Sequence, residues 1–120
     1  MRDIVGMFCS GMCITHCLLT SFLLVGGSLG LLEAYLASEW VHKGLLIPVL
    51  LIALFSFPNA YRRHQHTLPG VFAIAGVCLM LAAVILHGQY ETLLTVAGGS
   101  MLIVAHFYNY LIIKRQSVLT

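Results

Sequence analysis

Long apolar runs joined by short polar links make up most of the chain. Four of them, over about residues 4–25, 44–61, 68–86 and 92–113, reach membrane-spanning length, since a span needs about 20 largely apolar residues, with a range of roughly 17–25. In hydrocarbon every backbone N–H and C=O must be satisfied internally, so each run is predicted to be a helix. The links are short, so neighbouring helices are predicted to run antiparallel. The expected fold is an all-α membrane protein, a four-transmembrane-helix antiparallel bundle, with residues 1–120 forming a single transmembrane domain. Pro69 falls in the first turn of the third run, where proline is tolerated. Pro48 is expected to start or kink the second, and Pro58 to disturb its last turn.

The link between the first two runs has a pattern of its own. Leu29, Leu32, Leu36 and Trp40 recur at helical spacing, with Glu33 and Glu39 off that stripe. This predicts an interfacial helix over 28–43. Tyr35, Trp40, Tyr61, Tyr90, Tyr108 and Tyr110 fall near the predicted span ends, as an aromatic belt would. Gly26-Gly27 and Gly98-Gly99 read as close helix contacts.

Composition narrows the class. The chain is 60% hydrophobic and 8% charged, against roughly 25% charged residues in soluble domains, too few to wet a globular surface. A net charge of +2 with no basic patch excludes nucleic acid as a partner. The first run is too long for the core of a signal peptide, typically about 7–15 residues, and is read as a span. With four crossings, Arg2, Arg62, Arg63, Lys114 and Arg115 fall on one side and Lys43 alone on the other. The positive-inside rule then puts both termini and the Arg62–His66 loop in the cytoplasm, with His64 and His66 in a solvated anchor. Glu33, Glu39, Glu91, His42 and His87 fall on the outer side. They either gather cations through their field or are simply solvated loop residues.

The candidate chemistry lies inside the first run. Cys9, Cys13 and Cys17 are spaced four apart, and His16 adjoins the last. Four residues turn a helix position by only about 40°, so the four side chains share one flank. Thiols with imidazole suit soft metal ions rather than magnesium or calcium. A bare divalent ion in lipid is prohibitively costly, but two thiols that lose their protons neutralise it, so capture releases protons. The thiols step along the axis by about 6 Å, a ladder rather than a cage. His106 matches the Cys9–Cys13 level on the fourth run, with Asn109 one turn away on the same face. It either completes the site or packs against a carbonyl. Cys78 reads as a small packing residue, with a ring of Cys13, Cys78 and His106 as the alternative. The metal-ligand candidates are therefore Cys13, Cys17, His16, Cys9 and His106. No phosphate-binding loop is present. Cys13 and His16 on one helix in lipid lack oxyanion donors and water, so no enzyme is expected.

Cys13-Ile-Thr-His16-Cys17-Leu18-Leu19 resembles the first-helix signature of the MerC family of mercuric ion transporters and MerC-domain membrane proteins. Glu39-Trp40-Val41-His42 is similar to the segment before that family's second helix, and Tyr61-Arg62-Arg63-His64 to its cytoplasmic loop. Gly98-Gly99, Ala105-His106 and Asn109 resemble its fourth helix. The resemblance covers nearly the whole chain. It implies a multi-pass inner (plasma) membrane protein that takes mercuric ion into the cytoplasm, with Cys13 and Cys17 as the metal pair. Its partners would be membrane lipid, a mercuric or other soft metal ion as substrate, and cytoplasmic thiols or a mercuric reductase as recipient. No tightly bound cofactor is implied, and a homo-oligomer is compatible with it. Two features depart from the family's pattern: Ile113–Thr120 carries no second cysteine pair, and Thr20-Ser21 stands where a proline is usual. The alternative function is a non-transporting membrane redox sensor, or a metal- or haem-binding helper.

Overall fold

The computed structural model describes residues 2–26, 30–86 and 88–119, without the side chains of Leu24, Leu32, Glu33, His64 and Gln89. Five helices follow in order: α1 (Arg2–Gly26), α2 (Leu31–Leu36), α3 (Glu39–His64), α4 (Leu68–Leu86) and α5 (Gln89–Leu119). All but α2 are long and apolar enough to cross a membrane. The chain is a helical multi-pass membrane protein.

Side-chain pairings fix the arrangement. On α1 and α3, Asp3 meets Ser56 and Cys17 meets His42. On α1 and α5, Asp3 meets Asn109 and Ser21 meets Thr92. Both pairs of helices therefore run antiparallel. The bundle is elongated, at 55 × 24 × 18 Å. Arg2, Arg62, Arg63, Lys114 and Arg115 share one end with Asp3, and Lys43 and Glu91 share the other.

Polarity is inverted relative to a soluble protein. Phe8, Phe22, Phe55, Ile74, Ile85 and Leu93 point outward, while Asp3, Ser10, His42, Ser56, Thr95, His106 and Asn109 are buried. Lipid covers the apolar faces, and polar groups are confined to the bundle interior, where partners exist. Glycine allows the closest contacts. A methyl on Gly98 would lie 2.7 Å from the Gly76 carbonyl oxygen on α4, and one on Gly99 would lie 2.9 Å from Ile14 on α1. Helices in lipid associate by such small-residue packing.

The boundaries of α3 differ from the sequence expectation. Ser38, in an extended conformation, occupies the N-cap position without a side-chain capping bond, and Glu39 lies in the first turn. Of the predicted interfacial helix, Leu31–Leu36 form α2 and Trp40 belongs to α3, while Ser28, Leu29 and the side chain of Leu32 lie outside the described residues. Pro58 does not end the helix, which continues to His64, because a free backbone end at membrane depth would lack hydrogen-bond partners. Gln65 then terminates it in a left-handed conformation, with its N–H donating to Tyr61 O at 2.9 Å. Gly27 and His87 lie outside the described residues, as does the side chain of Glu33.

Candidate metal centre

The inner face of α1 is polar or small along its length. Asp3, Gly6, Ser10, Cys13 and Cys17 are all buried. They follow the helical repeat, and each faces α3, α5 or the seam between them. Cys13 is fully buried and Cys17 is 5% exposed. The two are neighbours one turn apart on the same face. Cys9 is half-buried and packs at the edge of the core. The residual 40° per step carries it to the flank, so the buried stripe continues from Cys13 through Ser10 and Gly6.

Around Cys17 the structure assembles three donors. Atoms of His16, Cys17 and His42 lie within 4.8 Å of one another. His42 Nδ1 is 3.5 Å from Cys17 Sγ. The other His42 nitrogen, Nε2, faces Glu91 Oε1 at 3.5 Å, an ion-pair distance without hydrogen-bond geometry. His16 donates from Nε2 to the Leu36 carbonyl at 2.8 Å. That bond ties α2 to α1 and leaves His16 Nδ1 buried and unpartnered. In a neutral imidazole held this way, the second nitrogen carries the lone pair. Metal-binding histidines are commonly fixed by such an outer bond. Bonds of about 2.3 Å to sulfur and 2.1 Å to nitrogen let one ion bridge donors up to roughly 4.4 Å apart. Cys17 and His42 already fit at 3.5 Å, and His16 lies within 4.8 Å of both.

A cavity of about 460 Å³ reaches this group, lined by His16, Cys17, Thr20, His42, Glu91 and Thr92 among others. It lies at the end of the bundle that holds Lys43. Glu39 also borders it and pairs with Lys43 at 3.0 Å.

His42 is the residue that sequence reasoning placed differently, among outer loop groups. It lies in α3 and is 7% exposed. The signal was present. Ser38 before Glu39 is a helix start, and from there His42, Leu46, Val49, Ala53 and Ala60 mark one buried face.

His106 is far from this group. Asp3 and Cys17 are separated by about 21 Å along α1, and His106 stands at the Asp3 end. Its Nδ1 donates to Asp3 Oδ1 at 2.9 Å. Asn109 Nδ2 donates to both Asp3 oxygens at 2.9 Å, and Ser56 Oγ donates to Oδ1 at 3.0 Å. All four residues are buried. Asp3 was not singled out from the sequence. Cys78 is exposed in an apolar groove between α3 and α4, alongside Phe57 and Tyr61. The structure does not join it to Cys13.

A family model described as MerC mercury resistance protein matches residues 3–111. No curated protein and no solved structure matches the chain.

Proposed function

We propose, from the premise that this chain belongs to the MerC mercury resistance family, that it carries a mercuric or other soft metal ion through the inner membrane along buried thiols. The observation that carries this reading is the Cys17 thiol. It is buried, flanked by His16 and His42, and reached by a cavity at the end of the bundle that holds Lys43. By the positive-inside rule that end is the outer one, and both termini are cytoplasmic. The ion enters past Glu91 and exchanges its ligands for Cys17 and His42, with His16 as third donor. Cys13, one turn deeper, takes it next, because a second thiolate attaches before the first departs. Capture displaces thiol protons, so the loaded unit approaches neutrality and tolerates the bilayer interior.

Beyond Cys13 the ion moves past Cys9 to cytoplasmic thiols, which are kept reduced, or to a mercuric reductase. That sink supplies the direction, and no chemical reaction is catalysed. The test is mercury accumulation by cells that produce equal amounts of the wild type or the Cys13→Ser, Cys17→Ser double variant. Loss of accumulation in the variant is expected. Equal accumulation rejects the role given to this pair.

A further inference from the structure

The clamp around His106 leaves one atom over. Asp3 accepts from Ser56, His106 and Asn109, and an ionised carboxylate only accepts, so the proton of that ring sits on Nδ1. The opposite nitrogen, Nε2, is fully buried and has no partner. The ring lies between Gly6, where any side-chain atom would overlap it, and Phe57, whose centroid is 4.6 Å away. With its faces covered and Nδ1 held, Nε2 points away from Asp3. An unpartnered nitrogen at this depth is costly. His16 shows the same construction: one nitrogen tied to an oxygen, the other buried and left over.

We propose that His106 Nε2 and the Cys9 thiol form a second soft-ion station, at the opposite end of the bundle from Cys17 and His42, with Asp3 as the positioning residue. Cys9 lies one turn further along α1 than Gly6, whose backbone packs on the His106 ring. Thiolate and imidazole together suit an ion that accepts two ligands. Asp3, braced by Asn109 and Ser56, selects the tautomer that presents a lone pair and raises the ligand's basicity. Gly6 is required because a side chain there would displace the ring. The inference rests on the carrier reading for its purpose, as the point at which the ion leaves the buried stripe.

The experiment uses the full chain in lipid nanodiscs, with histidine imidazole nitrogens labelled for NMR and mercuric chloride added stepwise to a molar excess. His106 is recognised by its cross-peaks to Phe57, and its signal is confirmed by loss in His106→Gln. Before addition, Nε2 should resonate as an unprotonated nitrogen. It should shift on adding mercuric ion, both in the wild type and in the Cys13→Ser, Cys17→Ser protein, and the shift should be lost when Cys9→Ser is added. An Nε2 signal that stays in place in both proteins overturns the station. A shift that survives Cys9→Ser overturns the part given to Cys9. The ultraviolet thiolate–mercury band of Cys13 and Cys17, recorded as the difference between the two proteins, judges the carrier reading separately. That band with an unmoved Nε2 rejects the second station alone. A moving Nε2 without the band rejects the outer pair and supports the inner station.

Discussion

The two polar clusters of this bundle use similar parts and treat them oppositely. Each takes groups from α1, α3 and α5, and each holds a carboxylate beside a histidine. At the Asp3 cluster, the inner one on the proposed orientation, the contacts of Asp3 run from 2.9 to 3.0 Å, and every residue is buried. At the outer one the contacts of His42 are 3.5 Å, and Glu91 retains 28% of its side-chain exposure beside a cavity. Short bonds that saturate a buried carboxylate hold helices in register. Long bonds beside an opening leave donors free to change partners. The inner carboxylate also lies in the first turn of α1, where the helix dipole favours negative charge. Charge is thus held where the backbone already steadies it, and the ligands that take the ion first sit beside the opening.

Removing the inner carboxylate should have the largest effect. Asp3→Ala leaves His106, Asn109 and Ser56 turned towards a missing acceptor, and each buried donor left unsatisfied costs about 1–3 kcal/mol. Thermal unfolding in detergent should show a large drop, while mercury taken up at the Cys13 and Cys17 thiols keeps its ultraviolet band in the protein that remains folded. Unchanged stability would break the contrast between the two ends.

His42→Ala should do the reverse. The outer centre loses a donor, and mercury affinity measured against a competing thiol should fall by more than the roughly 10–100-fold typical of losing an outer-shell partner. The unfolding midpoint should move much less than for Asp3→Ala, because His42 makes no short bond. Glu91→Gln touches only the group that faces His42, and its loss of affinity should be about tenfold. A Glu91→Gln defect as large as that of His42→Ala would show that the carboxylate itself binds the ion.

Much of this was readable in the sequence, and the omissions have physical causes. The four apolar runs identify the spanning helices, and Gly98-Gly99 is indeed a close contact, against both α4 and α1. Sequence places His42 among the outer-side groups rather than in the second span, because the apolar run starts only at Gly44, whereas the helix starts at Glu39. Asp3 precedes the first apolar run, and nothing in its sequence neighbourhood marks it as buried. Its burial comes from α5, which extends to Leu119 and lays His106 and Asn109 over the first turn of α1. A long-range pairing of this kind, between residues over 100 positions apart, leaves no periodic trace. The flank shared by the cysteines was legible. That the stripe would leave Cys9 for Ser10 and Gly6 depends on where α3 and α5 sit, which spacing alone does not fix.

The smallest expected effect belongs to the rim of the outer cavity and tests whether its field matters. Lys43 pairs with Glu39 at 3.0 Å and lies 5.9 Å from the centre of the Trp40 ring. Both charged groups are well exposed, so the pair contributes no more than about 0.5 kcal/mol to stability. Lys43→Ala should therefore leave the unfolding midpoint nearly unchanged. It also removes the only lysine or arginine near Glu39 and Glu91 among the described residues, making the mouth more negative. If the outer carboxylates gather cations, stopped-flow capture of a cationic mercury complex should quicken by up to about threefold at low ionic strength. The gain should vanish at high salt, where the screening length shrinks to about 3 Å at 1 M. An unchanged rate at low salt would mean that Glu91 acts only through its contact with His42, and that the acidic rim is a solvated surface.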